Sequence, residues 1–195
     1  MERLRRDFNT ITLVMIPVAI AINIAIGTIV YNLKVPLYLD AIGTIFVGAL
    51  AGPFAGALTG ALTNLVWGLS GINPFYTPYW ITSLFVGLLA GIFSRFGWFK
   101  VWWRAIIAGV VTGLIAALIS APIFTYVSGG VTGSGTDVIT AVFRNAGFGI
   151  LPSAFAQGVS SDPLDKAISF FVVWGVIQAL PLRFLDRFSR AEDVR

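Results

Sequence analysis

Between Ile11 and Leu33 the chain runs for 23 residues without an Asp, Glu, Lys or Arg. A helix rises 1.5 Å per residue, so one of that length covers the roughly 30 Å of a bilayer's hydrocarbon core. Lys34-Val35-Pro36 ends the run. Five further apolar segments follow: Leu37 to Ala51, stopped by Gly52-Pro53; Phe54 to Leu69, broken at Ser70-Gly71; Pro78 to Phe93; Ala105 to Val127; and Leu164 to Leu185. The second, third and fourth are short for spans, a mismatch that local thinning of the bilayer accommodates. Charged residues make up 11% of the chain, against about 25% in a soluble domain, so a water-facing surface is out of reach. The expected fold is an all-α integral membrane protein: a six-helix transmembrane bundle, forming one domain over residues 1–195.

Lys and Arg placement gives the orientation. With the N-terminus inside, Arg3, Arg5, Arg6, Arg95, Lys100, Arg104, Arg183, Arg187, Arg190 and Arg195 are cytoplasmic, against Lys34, Arg144 and Lys166 outside. Cytoplasmic loops carry such an excess of positive charge. Trp98, Trp102 and Trp103 sit among the inner charges as an interfacial belt. Both termini are therefore expected in the cytoplasm. Asp137 to Val159 is moderately apolar but contains Arg144-Asn145 and Pro152, and a seventh span there would move the C-terminal arginines outside. Ser128 to Asp162 is instead read as a long outer loop with an interfacial or partly inserted helix, hinged at the flexible Gly-rich run 128–136. Asp162-Pro163 reads as the start of the last helix, with Asp162 as N-cap and Pro163 at the first helical position. The charged stretch Met1 to Asp7 runs into a long apolar segment with no small-residue cleavage site, so no cleaved signal peptide is expected.

Composition removes several chemistries. The chain has no Cys and no His, hence no disulfide, thiol nucleophile, Cys/His metal site or histidine base. No phosphate-binding Gly-rich loop with Lys-Ser/Thr is present, and no carboxylate pair is placed at the membrane midplane. The expectation is a protein that is not an enzyme, with no cofactor and no metal. The net charge of +4 is a topology signal rather than a nucleic-acid footprint, so the bilayer, not nucleic acid, is the expected surroundings.

Small residues recur at four-residue spacing: Gly48, Gly52, Gly56 and Gly60, then Gly87 and Gly91, then Gly109 and Gly113. Such spacing lets helix backbones approach closely. Ala21 and Ala25 repeat it in the first span, either for packing within the chain or as a docking face for a second membrane subunit. Asn23 and Gln178 lie deeper and are expected to bridge helices. Near the outer ends of spans lie Asp40, Asn64 and Trp67, and the loop from Gly71 to Trp80 offers Asn73, Tyr76, Tyr79 and Trp80, stiffened by Pro74 and Pro78. The last outer loop adds Asp137, Arg144, Asn145 and Gln157. Aromatic walls with a few fixed polar groups are what a small-molecule site needs. The candidate substrate-binding set is Asp40, Asn64, Trp67, Asn73, Tyr76, Tyr79, Trp80, Arg144 and Asn145. The rings would stack on a planar ligand, with Asp40, Asn64 and Asn145 hydrogen-bonding it.

Several stretches together resemble a family. They are Ala21-xxx-Ala25, Tyr38-Leu-Asp-Ala-Ile-Gly-Thr44, Val47-Gly-Ala-Leu-Ala-Gly-Pro53, Leu62-Thr-Asn-Leu-Val-Trp-Gly68, Ser161-Asp-Pro-Leu-Asp-Lys166 and Leu180-Pro-Leu-Arg-Phe184. With about six spans, the chain resembles a substrate-binding S component of an energy-coupling factor (ECF) transporter. The resemblance implies a prokaryotic multi-pass protein of the cell membrane that binds a vitamin or similar micronutrient from outside. It implies a transmembrane T component and two ABC-type ATPases as partners. The T component would contact the small-residue face of the first helix, at Ala21 and Ala25, with Ala19 giving an alternative register. Two other readings stand beside this one: a membrane sensory or scaffold subunit of similar fold, and a self-contained channel or carrier.

Overall fold

The computed structural model describes residues 7–188 and 190–195. Arg3, Arg5 and Arg6, part of the inner charge set, lie outside the described residues. Among the described residues every regular element is helical: α1 (Thr10–Asn32), α2 (Ile42–Ala51), α3 (Pro53–Leu69), a 3-10 turn (Pro74–Tyr79), α4 (Trp80–Arg95), α5 (Trp102–Tyr126), α6 (Asp137–Asn145), α7 (Ile150–Ala179), and short helices α8 (Leu182–Leu185) and α9 (Ala191–Val194). Three stretches are long and apolar enough to cross a membrane: α1, the 3-10 turn with α4, and α5.

α2 is the centre of the packing, touching α1, α3, α4 and α7. From Val47 to Ala51 all its residues are buried. α5 runs along α7, and α3 along α4. Small residues allow these contacts. A Cβ on Gly87 would sit 2.0 Å from the Gly56 carbonyl oxygen, and one on Gly113 would sit 2.4 Å from the Asp162 carbonyl oxygen. Asn23 makes a deep polar bridge. Its Nδ2 donates to Thr44 Oγ1 (2.9 Å) and Thr63 Oγ1 (3.1 Å), and its Oδ1 accepts from the Gly43 N–H (2.7 Å), which ties α1 to α2 and α3.

Two elements differ from expectation. The second apolar segment is helical only from Ile42 onward. The Tyr38 and Leu39 N–H groups donate instead to the Asp165 carboxylate, at 2.9 and 2.8 Å, and Leu39 takes a positive φ of 50°. The last long helix begins at Ile150 after Gly149, well before Leu164, and Asp162 and Pro163 lie in its interior. Asp162 is no cap. Its carboxylate accepts from Ser161 Oγ (3.1 Å) and, across to α5, from Ser120 Oγ (3.4 Å). The expected outer loop is thus largely the helical pair α6 and α7.

The two ends of the molecule are chemically different. At one end Asp7, fully buried, faces Arg190 (3.5 Å) and Arg95 (3.8 Å) and accepts from the Phe54 N–H at the start of α3 (3.2 Å). Asn9 there donates to the Arg187 carbonyl, and Gln178 to the carbonyls of Phe99 and Val194. At the other end the connections 33–41, 70–79 and 127–136 meet.

Candidate functional site

The three connections close over a cavity of about 70 Å³. Its lining is assembled from most of the helices: Tyr31 from the end of α1, Tyr38 and Asp40 from the 33–41 connection, Asn64 from α3, Phe75, Tyr76 and Tyr79 from the 3-10 turn, Thr82, Ser83 and Val86 from α4, Ala116 and Ser120 from α5, Thr132 and Ser134 from 127–136, and Asp162 and Lys166 from α7. The aromatic turn owes its shape to local chemistry. Asn73 accepts from the Phe75 N–H at 3.2 Å, and Pro74 fixes the first turn position. Behind it, Trp67 is fully buried and stacks on Tyr76, with ring centroids 3.7 Å apart and planes 15° off parallel.

The Gly-rich run expected to be a flexible hinge is stitched down. Asp137 accepts from the N–H groups of Thr132 (3.0 Å) and Gly133 (2.7 Å). Tyr31 Oη donates to the Thr132 carbonyl (3.3 Å), Lys34 Nζ to the Gly133 carbonyl (2.5 Å), and the hydroxyls of Tyr79 and Ser128 lie 3.3 Å apart. Gly133 has φ of 77°, a left-handed conformation that glycine adopts without strain.

An ionic cluster forms one wall. Lys166 Nζ lies 2.5 Å from Asp165 Oδ2 and 3.4 Å from Asp40 Oδ1. Asp165 Oδ1 takes the Tyr38 and Leu39 N–H groups, so this buried carboxylate both fixes the 33–41 connection and positions the ammonium. Gly109 and Gly113 on α5 make room for it. A Cβ on either would meet the carbonyls of Lys166 or Asp162 at 2.5 or 2.4 Å. A buried ion pair needs such hydrogen bonds and close packing to offset desolvation. Two polar atoms in the lining residues have no partner: Asn64 Oδ1 and Thr82 Oγ1.

Of the residues picked out from sequence, the structure brings Asp40, Asn64, Tyr76 and Tyr79 together in the lining, with Trp67 and Asn73 supporting them from behind. It does not place Trp80, Arg144 or Asn145 there. Trp80 is 38% exposed at the start of α4, and Arg144 and Asn145 are exposed on α6. Gln157 donates to Ser161 Oγ (2.7 Å) and Tyr38 Oη (3.4 Å), outside the lining. Sequence reasoning missed Tyr31, Tyr38, Asp162 and Lys166. Lys166, an outside charge in the sequence count, is a buried wall residue. The signal available for it was a Lys between apolar turns of a helix, four residues from Asp162 and next to Asp165.

The chain matches no family model, no curated protein and no solved structure. The site is therefore read from its own geometry. Aromatic rings, carboxyl groups and hydroxyls share one volume, with Ser120 Oγ 3.4 Å from the Asp162 carboxylate.

Proposed function

We propose that this chain is the substrate-binding subunit of an ECF-type importer, with six membrane crossings, which captures a vitamin-like micronutrient from outside and hands it to an ATP-driven coupling module. The observation that carries the reading is the position of the cavity. It is closed by three connections at the end opposite the one where Arg95, Arg187 and Arg190 gather. Positive charge marks the cytoplasmic side, so the cavity end faces outward, where an importer meets its substrate. α2 and α3 cross as a pair broken at Gly52, which has φ of 120°. α7 crosses with its charged residues turned into the bundle, as ionisable groups in a membrane are.

Ala21 and Ala25 support the coupling part of the reading. Both are exposed on α1, on a stripe with Val14, Val18 and Ile29. Small residues on an exposed helix face allow another helix to approach closely. The closed volume suits a few waters, whereas ligand sites usually enclose about 300–1,000 Å³. Loading a ligand of that size therefore requires the lining to expand.

Native mass spectrometry of the protein purified in mild detergent tests the reading. A discrete small-molecule adduct, lost on denaturation and absent from Tyr76→Ala, is the expected result. Affinity purification from the native membrane should recover a T component and ATPases, and Ala21→Leu with Ala25→Leu should release them. Retention of the partners by that double variant would remove the α1 docking face. Recovery of a histidine kinase in their place would favour the sensory reading.

A further inference from the structure

The lining carries more carboxyl groups than ammonium groups. Asp40, Asp162 and Lys166 line the cavity and Asp165 lies directly behind it, which is three carboxylates to one ammonium. Lys166 is committed to Asp165 at 2.5 Å and reaches Asp40 only at 3.4 Å. Asp162 has hydroxyl donors alone, Ser161 at 3.1 Å and Ser120 at 3.4 Å. The neighbouring charges do not correct the balance. Lys34 is exposed, bound to the Gly133 carbonyl and set 4.3 Å over the Tyr31 ring. Arg144 is exposed on α6, and Asp137, holding the cover, adds a further negative group.

A second feature points to a ligand independently of these acids. Asn64, 2% exposed, lines the cavity with its Oδ1 unpartnered. A buried polar atom without a partner is costly, and an open acceptor is met by a donor. The walls Tyr31, Phe75, Tyr76 and Tyr79 present aromatic rings, whose faces attract cations. Among the described residues no three acidic side chains converge closely enough to hold a metal ion, and Asp165 already accepts two N–H groups and the ammonium. An anion entering here would meet carboxyl groups, and the one ammonium among the described lining residues, Lys166, is already paired with Asp165.

Resting on the binding-subunit reading above, we propose that the cavity takes a small organic cation, an ammonium or a positively charged ring, seated between the tyrosines with its charge on Asp162 and Asp40 and a donor on Asn64. Three one-ring probes of similar shape test it on the full chain in detergent: benzylamine (cation), benzyl alcohol (neutral) and benzoate (anion), titrated by isothermal calorimetry. Benzylamine should bind about tenfold or more tighter than the other two, a step worth 1.4 kcal/mol. Asp162→Asn should erase most of that preference, and cooperative thermal unfolding checks that the variant is folded. Asp40→Asn provides the same comparison should Asp162→Asn not fold. Charge-blind binding, tighter binding of benzoate, or a preference that survives both variants overturns the cation assignment and leaves the binding-subunit reading standing. Binding of none of the three by a protein that still unfolds cooperatively removes the cavity as a ligand site, and both readings fall together.

Discussion

Replacing Asp165 with alanine should cost more than any other single change at the site. It strips the Tyr38 and Leu39 N–H groups of their acceptor and leaves Lys166 buried with only the more distant Asp40. Breaking a buried pair in this way costs about 3–5 kcal/mol, and thermal unfolding in detergent should register it as a large fall in Tm. An unchanged Tm would mean that water already solvates the cluster. Asn23→Leu should cost about 2 kcal/mol by orphaning the Gly43 N–H and removing the donor to the Thr44 and Thr63 hydroxyls. Asp40, Asn64, Tyr76 and Tyr79 were legible in sequence because polar and amphipathic groups at the ends of apolar runs are few and expensive. Trp80, Arg144 and Asn145 lie outside the lining, because sequence gives depth along a helix better than rotation about it. Asp162 and Lys166 were hidden by Pro163, which turns the local pattern into that of a helix start.

That same proline decides how the helices were read. An interior proline costs about 3 kcal/mol in an isolated helix, so Asp162-Pro163 reads as a beginning. In the fold, Ser120 and Ser161 hold Asp162, and Gly113 admits the helix at this point. None of these contacts is local in sequence. Apolar runs such as Ile11 to Leu33 and Ala105 to Val127 were legible because length and hydropathy suffice for them. The stretch from Leu37 to Ala41 was misread as helix because its backbone partners lie on α7, more than a hundred residues away. The glycine spacing makes a paired prediction. Gly87→Val pushes a side chain into the Gly56 carbonyl and should destabilise by about 2 kcal/mol or more. Gly175→Ala meets nothing within 4 Å and should be neutral or stabilising by up to about 1 kcal/mol. Equal losses in chemical unfolding would contradict the close-packed α3–α4 contact.

The molecule as a whole has one arginine-rich end and one end that closes over a cavity, and the proposed direction of transport depends on which faces out. Because the chain has no cysteine, single cysteines report sidedness cleanly. Ile72→Cys, exposed on the 70–79 connection, should react with a membrane-impermeant maleimide in intact cells, and Arg183→Cys only after lysis. The reverse pattern would invert the topology. The reading of the protein as a passive binder worked by partners is tested most directly in proteoliposomes, with the molecule that co-purifies with it as the labelled substrate. The account predicts accumulation only when the T component, both ATPases and ATP are present together with this chain. Accumulation by this chain alone, without ATP, would contradict it and make the protein a self-contained carrier.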